Sequence, residues 1–365
     1  MPFPELAPGR RRAVGRWLVV WAVMLLLIVV IGGVTRLTES GLSITEWAPV
    51  TGIVPPLGEA AWQRAFSAYQ RIPEYQQRNR GMTLPEFKRI YFWEYLHRLW
   101  ARLVGIAFAV PLVVFLVRGG LGRALTWRLA GLLVLTGAQG ALGWFMVASG
   151  LSERTDVSQY RLAAHLALAL VIYVATVWTA ADLLGGGADG RTGGRAGRAI
   201  ESLRTLAGIL AGLVFLTAIA GAFVAGLDAG KAYDTFPLMG GKIVPVGYGV
   251  LVPWWRNLFE NVAAVQFNHR LLGILTLLTA LGVWVRGRTL GLSGRAQGLL
   301  LLLPFAALMQ VTLGITTLLL FVPVEIAALH QAGAVLVLTV SVLLYHALRP
   351  ATVEVQRPVQ TTEVV

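Results

Sequence analysis

Eight stretches of this chain are each about 20 residues long, apolar and nearly free of charge: roughly 17–35, 94–117, 127–148, 160–181, 204–226, 264–285, 297–321 and 326–347. A helix rises 1.5 Å per residue, so about 20 such residues cross the hydrocarbon core of a bilayer. An open strand cannot satisfy its backbone polar groups in lipid, so each stretch is expected as a helix. The fold class that follows is an all-α membrane protein with eight transmembrane helices. The charged fraction is only 13%, about half that of a soluble domain, which agrees.

The formal net charge is +13. In a soluble protein that would suggest nucleic acid, but here the arginines flank the apolar stretches. Arg10, Arg11, Arg12 and Arg16 precede the first, and the short loops 118–128 and 286–295 each hold three arginines and no acid. By the positive-inside rule these are cytoplasmic, and eight spans then put both termini on that side. No nucleic-acid partner is expected, and the surroundings are membrane lipid. The first stretch is expected as a permanent span and not a cleaved signal. There is no cysteine, which rules out disulfides, thiolate metal sites and iron–sulfur clusters within this sequence.

The chain reads as duplicated. His97-Arg98-Leu99 in the second stretch returns as His269-Arg270-Leu271 in the sixth, 172 residues later, and Gln139 through Gly143 in the third returns as Gln310 through Gly314 in the seventh, 171 residues later. Each half has four spans, so the two share one orientation: two parallel pseudo-repeated four-helix bundles. The expected organisation is an N-terminal half (1–182), a Gly- and Arg-rich cytoplasmic linker (183–203), a C-terminal half (204–349) and a disordered tail (350–365). The longest outer loop, about 36–93, contains an amphipathic stretch at 59–71 expected to lie on the membrane surface.

Four histidines, His97, His165, His269 and His330, fall a few residues inside the even-numbered stretches. With the topology above, all four lie within roughly a turn or two of the outer face, in one layer. Ionisable side chains at membrane depth mark functional sites, and imidazole is a common axial ligand of heme iron. One histidine alone would be an ordinary packing residue. Four at repeat-related positions suggest two bis-histidine heme sites. Zinc is the weaker reading, because no cysteine or second histidine at i+3 or i+4 accompanies any of them. The fifth, His346, lies about 24 Å deeper than His330 and reads as an ordinary helix-end residue.

Glu94 breaks the symmetry. It precedes His97 by three residues and faces the same side of the helix, while its repeat counterpart is the neutral Gln266. A carboxylate beside a porphyrin edge can stabilise developing positive charge or deprotonate an attacking water. The alternative is an interfacial ion pair with Arg89, Arg98 or Arg102. Arg98 and Arg270 are placed to meet heme propionates or to snorkel to headgroups. Gln139 and Gln310 are expected to hydrogen-bond between helices.

Glu94-Tyr95-Leu96-His97-Arg98, Asn268-His269-Arg270, His330-Gln331 and the stretch Gly33 through Ser43 together resemble the heme A synthase family, over roughly 17–347. The resemblance implies an oxidoreductase with eight spans in two four-helix halves, in the bacterial cytoplasmic (inner) membrane. It implies conversion of heme O to heme A, by oxidation of a ring methyl to a formyl group, for cytochrome oxidase. His97 and His165 would then bind the iron of the substrate heme, His269 and His330 that of a resident heme b, and Glu94 matches the family's catalytic glutamate. Heme O synthase and cytochrome oxidase assembly factors are the implied partners, with a homo-oligomer also open. Some members carry a cysteine pair in an outer loop; this chain has none, so an electron route through such a pair is excluded. A diheme cytochrome b-type electron carrier is the alternative, and the Glu94/Gln266 asymmetry argues against it. A proton-coupled transporter would use the histidines without any heme.

Overall fold

The computed structural model describes residues 3, 5–46, 51–148, 150–153, 156–185 and 194–349. Twelve α-helices follow in chain order: α1 (Pro8–Leu37), α2 (Glu59–Tyr69), α3 (Pro73–Gln77), α4 (Leu84–Val117), α5 (Arg123–Ala148), α6 (Gly150–Glu153), α7 (Gln159–Leu184), α8 (Gly194–Gly226), α9 (Asn257–Glu260), α10 (Val262–Gly287), α11 (Gly294–Leu319) and α12 (Val324–Ala347). Eight of them, α1, α4, α5, α7, α8, α10, α11 and α12, are long and apolar enough to cross a membrane. Among the described residues the only extended pairing is one isolated bridge between Met239 and Lys242. The protein is an all-α, multi-pass membrane protein.

Several helices outrun their apolar stretches, because a proline or a polar cap in the flanking sequence starts them early. Pro8 opens α1 and Thr83 opens α4, where the Thr83 backbone N–H donates to the Glu86 carboxylate at 2.8 Å in a capping box. As a result α4 begins ten residues before its expected span. At α10 the Asn261 side chain accepts from the backbone N–H groups of Ala263 (3.0 Å) and Ala264 (3.2 Å). Of the expected linker, 186–193 lies outside the described residues and α8 already begins at Gly194; the tail from residue 350 also lies outside them.

Helices α1, α7, α8 and α12 form the centre: α1 packs on α7 and α12, and α8 packs on the same two. Helices α4 and α5 flank α1 and α7, while α10 and α11 flank α8 and α12. Indole N–H groups stitch α1 to α4: Trp17 donates to Ala107 O (2.9 Å), Trp21 to Val104 O (3.0 Å) and Trp100 to Met24 O (3.0 Å). Trp17 and Trp21 also pack on the buried ring of Phe108.

Two features close the ends of the bundle. At the histidine end, the segment between α1 and α4 has its own small core of Leu42, Phe66, Tyr69, Ile72 and Phe87. The amphipathic helix expected at 59–71 is α2, but it turns Phe66 and Tyr69 into this core and packs on α4. At the opposite end, buried Asp182 on α7 accepts from Arg128 at 2.6 Å, from Arg349 at 2.6 Å and from His346 at 2.9 Å. His346 is therefore part of a buried ionic knot joining α5, α7 and α12.

Candidate active site

Each of the four sequence-picked histidines is on a spanning helix: His97 on α4, His165 on α7, His269 on α10 and His330 on α12. They share one end of the bundle, where the C-terminal turns of α1 and α8 meet them. The structure brings them together as two pairs. His97 and His165 lie within electrostatic range of each other, as do His269 and His330.

The C-terminal pair is the more ordered. The rings of His269 and His330 stand at 89° with centroids 6.4 Å apart. Nδ1 of His269 is 3.1 Å from the carbonyl oxygen of Thr217, and Nδ1 of His330 is 3.1 Å from that of Gln310. A carbonyl only accepts, so His269 Nδ1 carries the proton and donates, leaving its Nε2 as the free lone pair, while His330 Nδ1 also lies 3.1 Å from the Gln310 amide nitrogen. A ligating imidazole nitrogen stands about 2.0–2.1 Å from its metal with the ring centre about 1.1 Å behind, so rings on opposite sides of one ion lie roughly 6–6.5 Å apart. The observed spacing fits a bis-imidazole heme iron.

The N-terminal pair is less tied down. His165 Nε2 lies 3.3 Å from the Gln139 amide nitrogen, and its Nδ1 is buried without a partner. The Gln139 amide can only donate, so in this arrangement Nε2 accepts and the proton sits on Nδ1, which has no acceptor. Gln139 and Gln310 bond between helices as expected, donating to the backbone carbonyls of His165 (3.0 Å) and His330 (2.9 Å). Among the described residues no three His, Cys, Asp or Glu side chains gather around a common metal position, whereas a structural zinc site takes four ligands.

Each of these four histidines faces a glycine on another helix, a relationship that the sequence pattern did not reveal. A methyl group built on Gly32 would lie 3.2 Å from His97 Nε2; on Gly143, 3.0 Å from His165 Cε1; on Gly221, 3.1 Å from His269 Cε1; on Gly314, 2.7 Å from His330 Cε1. These are cradles that any other side chain would fill. Gly33, beside Gly32, is pressed against the side chain of Gln331, whose amide donates to Val29 O at 3.0 Å. Helix α1 thus touches His97 and also the neighbour of His330.

Glu94 is 2% exposed and fully engaged. Its Oε2 accepts from Ser43 Oγ and from the Ile44 backbone N–H, both at 2.7 Å, and its Oε1 accepts from Arg98 at 2.6 Å. Arg98 reaches on to Ile44 O at 2.9 Å and Glu46 O at 3.3 Å. The other half repeats this with a neutral side chain: Gln266 donates to Tyr233 O (2.9 Å), and Arg270 donates to Tyr233 O (3.0 Å) and Thr235 O (2.7 Å). Both arginines therefore hold loop carbonyls over the histidine layer. Arg270 Nε is buried with no partner and is available to an anionic group.

Residues 15–342 match the COX15-CtaA family, described as cytochrome oxidase assembly protein. The chain belongs to this family. Among relatives in the cytochrome oxidase assembly family, heme A synthase of Rhodospirillum centenum is 50% identical over 348 residues, covering 95% of this chain and 91% of that protein. Heme A synthase of Nitrosospira multiformis is 45% identical over 339 residues, 93% and 94% of the two chains. Heme A synthase of a Chelativorans species is 49% identical over 357 residues, 95% of each.

Proposed function

We propose that this protein is a heme A synthase, a membrane oxidoreductase that converts the ring methyl of heme O to the formyl of heme A for cytochrome oxidase. Relatives of that name align along nearly its whole length. The observation that carries the reading to named residues is the difference between the two histidine pairs. His269 and His330 are pre-oriented by backbone carbonyls at a spacing suited to axial ligation, as a resident group requires. His97 and His165 lack those tethers, as a site that must admit and release its ligand requires. In this reading His269 and His330 hold heme b, which supplies a one-electron redox centre when bound, and His97 and His165 hold the substrate heme O.

Glu94 works at the substrate site. Arg98 and the two loop donors hold its carboxylate fixed, where it takes a proton or stabilises positive charge at the reacting carbon. Arg98 and Arg270 hold the covering loops and present positive charge to propionates, Arg270 through its unpartnered Nε. The arginine-rich loops orient the bundle with the Asp182 end cytoplasmic and the histidine layer outside, in a bacterial inner membrane.

The deciding experiment is extraction and identification of the porphyrins bound to purified protein. Heme b together with heme O or heme A is expected. Heme b alone, at two per chain, would make the protein a diheme carrier, and colourless protein would make it neither. Reporter fusions at Gly58 and Gly187 test the orientation and should report opposite sides.

A further inference from the structure

The loop between α8 and α9 exposes an apolar surface that the chemistry above does not use. From Phe236 to Trp255 its only charged residue is Lys242. Ile243, Val246, Val250, Val252, Trp254 and Trp255 are each between 54% and 83% exposed. Bare apolar surface of this extent marks an interaction face.

Contacts fix the depth of this face. The loop lies along the flank of α10 instead of standing above the bundle. The Asn261 amide donates to Gly247 O at 2.7 Å, the Tyr248 hydroxyl donates to Asn268 Oδ1 at 2.9 Å, and the Tyr248 ring meets Phe267 edge-on with centroids 5.4 Å apart. Arg270 holds Tyr233 O at 3.0 Å and Thr235 O at 2.7 Å, at the root of the apolar stretch. Helix α10 has 26 residues, which makes it roughly 39 Å long, and the hydrocarbon core it crosses is about 30 Å thick. Asn268 lies about 9 Å along the axis from Val262. Even with the whole excess length on the histidine side, Asn268 and its partner Tyr248 stand at the edge of the hydrocarbon. Deeper on the same helix, Leu271, Ile274, Leu275 and Leu278 form an exposed stripe at i, i+3, i+4 and i+7, the lipid-facing side of the span. Phe267 is one turn above Leu271, so the loop continues that stripe at its upper end.

We propose that residues 236–255 are a membrane anchor seated in the leaflet at the histidine end, with the lipid itself as partner. The valines and Ile243 enter the acyl boundary, Trp254 and Trp255 occupy the headgroup level that tryptophan favours, and Lys242 reaches a lipid phosphate. A water-soluble partner has no access at this depth. Anchoring also steadies the cover of the C-terminal histidine pair, because Arg270, next to His269, bonds to the root of the loop.

The absence of cysteine suits the chain to single-site labelling. Full-length, heme-loaded Ile243→Cys and Val246→Cys, each carrying a nitroxide, are placed in liposomes of phosphatidylcholine and phosphatidylglycerol. Leu278→Cys is the lipid reference and Gln77→Cys, exposed on α3, the water reference. Spin relaxation is measured with oxygen, which concentrates in lipid, and with a nickel chelate, which stays in water. The labels at 243 and 246 should follow Leu278, losing most of the nickel accessibility found at Gln77. Water-like accessibility at both positions would overturn the anchor. Shielding from both reagents would also overturn it, since a protein would then cover the loop. The unmodified protein supplies an independent reading: hydroxyl radicals generated in the water around the liposomes should leave Trp254 and Trp255 largely unoxidised despite their exposure, and heavy oxidation of both would reject the anchor. None of these outcomes depends on the reaction performed at the histidine layer.

Discussion

Gly314 and His330 touch at a distance that only a hydrogen on the glycine allows: a methyl there would lie 2.7 Å from Cε1 of the ring. The position of each imidazole is thus set from two sides, by the helix that carries it and by a bare patch of backbone on another helix.

Gly314→Ala should therefore displace His330 and lower or shift the low-spin heme b absorption. Gly212→Ala on α8, with nothing within 4 Å, should leave the spectrum alone and stabilise the helix by up to about 1 kcal/mol. A full, unshifted spectrum for Gly314→Ala would mean that the cradle has slack.

Glu94→Gln should fold, keep heme b and bind heme O, but lower heme A output about 10²–10³-fold, the effect of losing a transition-state electrostatic contact. Glu94 also anchors the loop through Ser43, so Ser43→Ala is the control. It removes one hydrogen bond to a charged group, worth about 1.5–3 kcal/mol of loop anchoring, and should change the heme A to heme O ratio far less. Equal losses in both variants would assign Glu94 to anchoring.

The segment between α1 and α4 should loosen as pH rises. Glu74, buried on α3, holds its proton more tightly in the folded protein than an ordinary carboxyl does, because burial disfavours its charge. The stability it contributes is therefore complete below the ordinary carboxyl range, near 4.5, and is lost as pH climbs to and through about 8. Hydrogen exchange of α2 and α3 should speed up across that window in wild type and stay flat in Glu74→Gln. A flat wild-type response would contradict the burial of that carboxyl.

Gln331→Leu removes the α12-to-α1 bond to Val29 O. Interhelical hydrogen bonds in membranes are worth about 0.6–2 kcal/mol, so a modest drop in thermal stability is expected, with the Nδ1 tethers of His269 and His330 and the heme b spectrum intact. A collapse of heme b binding would show that the α1 contact helps to set His330.

The eight spans and four histidines were legible because polar residues are conspicuous in apolar stretches. Glu94 was legible as one acid without a repeat partner. The glycine cradles were not, since glycine is frequent in membrane helices and only packing distinguishes Gly314 from Gly212. Glu74 was hidden for the opposite reason: an acid in a polar loop carries no signal until the loop folds over it. The arginines beside the histidines were read toward propionates or headgroups, whereas Arg270 holds loop carbonyls and Arg98 holds Glu94 together with loop carbonyls, and no side-chain pattern encodes those backbone partners.

The bond between Gln331 and Val29 has a consequence for how the molecule is made. Among the eight spanning helices described, α1 is made before the others and α12 after them, yet α1 forms part of the wall beside both histidine pairs. The bundle cannot close until α12 has been made, because the bond from Gln331 to Val29 spans 302 residues. His330, the last of the four histidines of that layer, arrives with the same helix. The C-terminal histidine pair is thus completed only when α12 is in place, and until then the face of α1 that meets Gln331 waits for its partner.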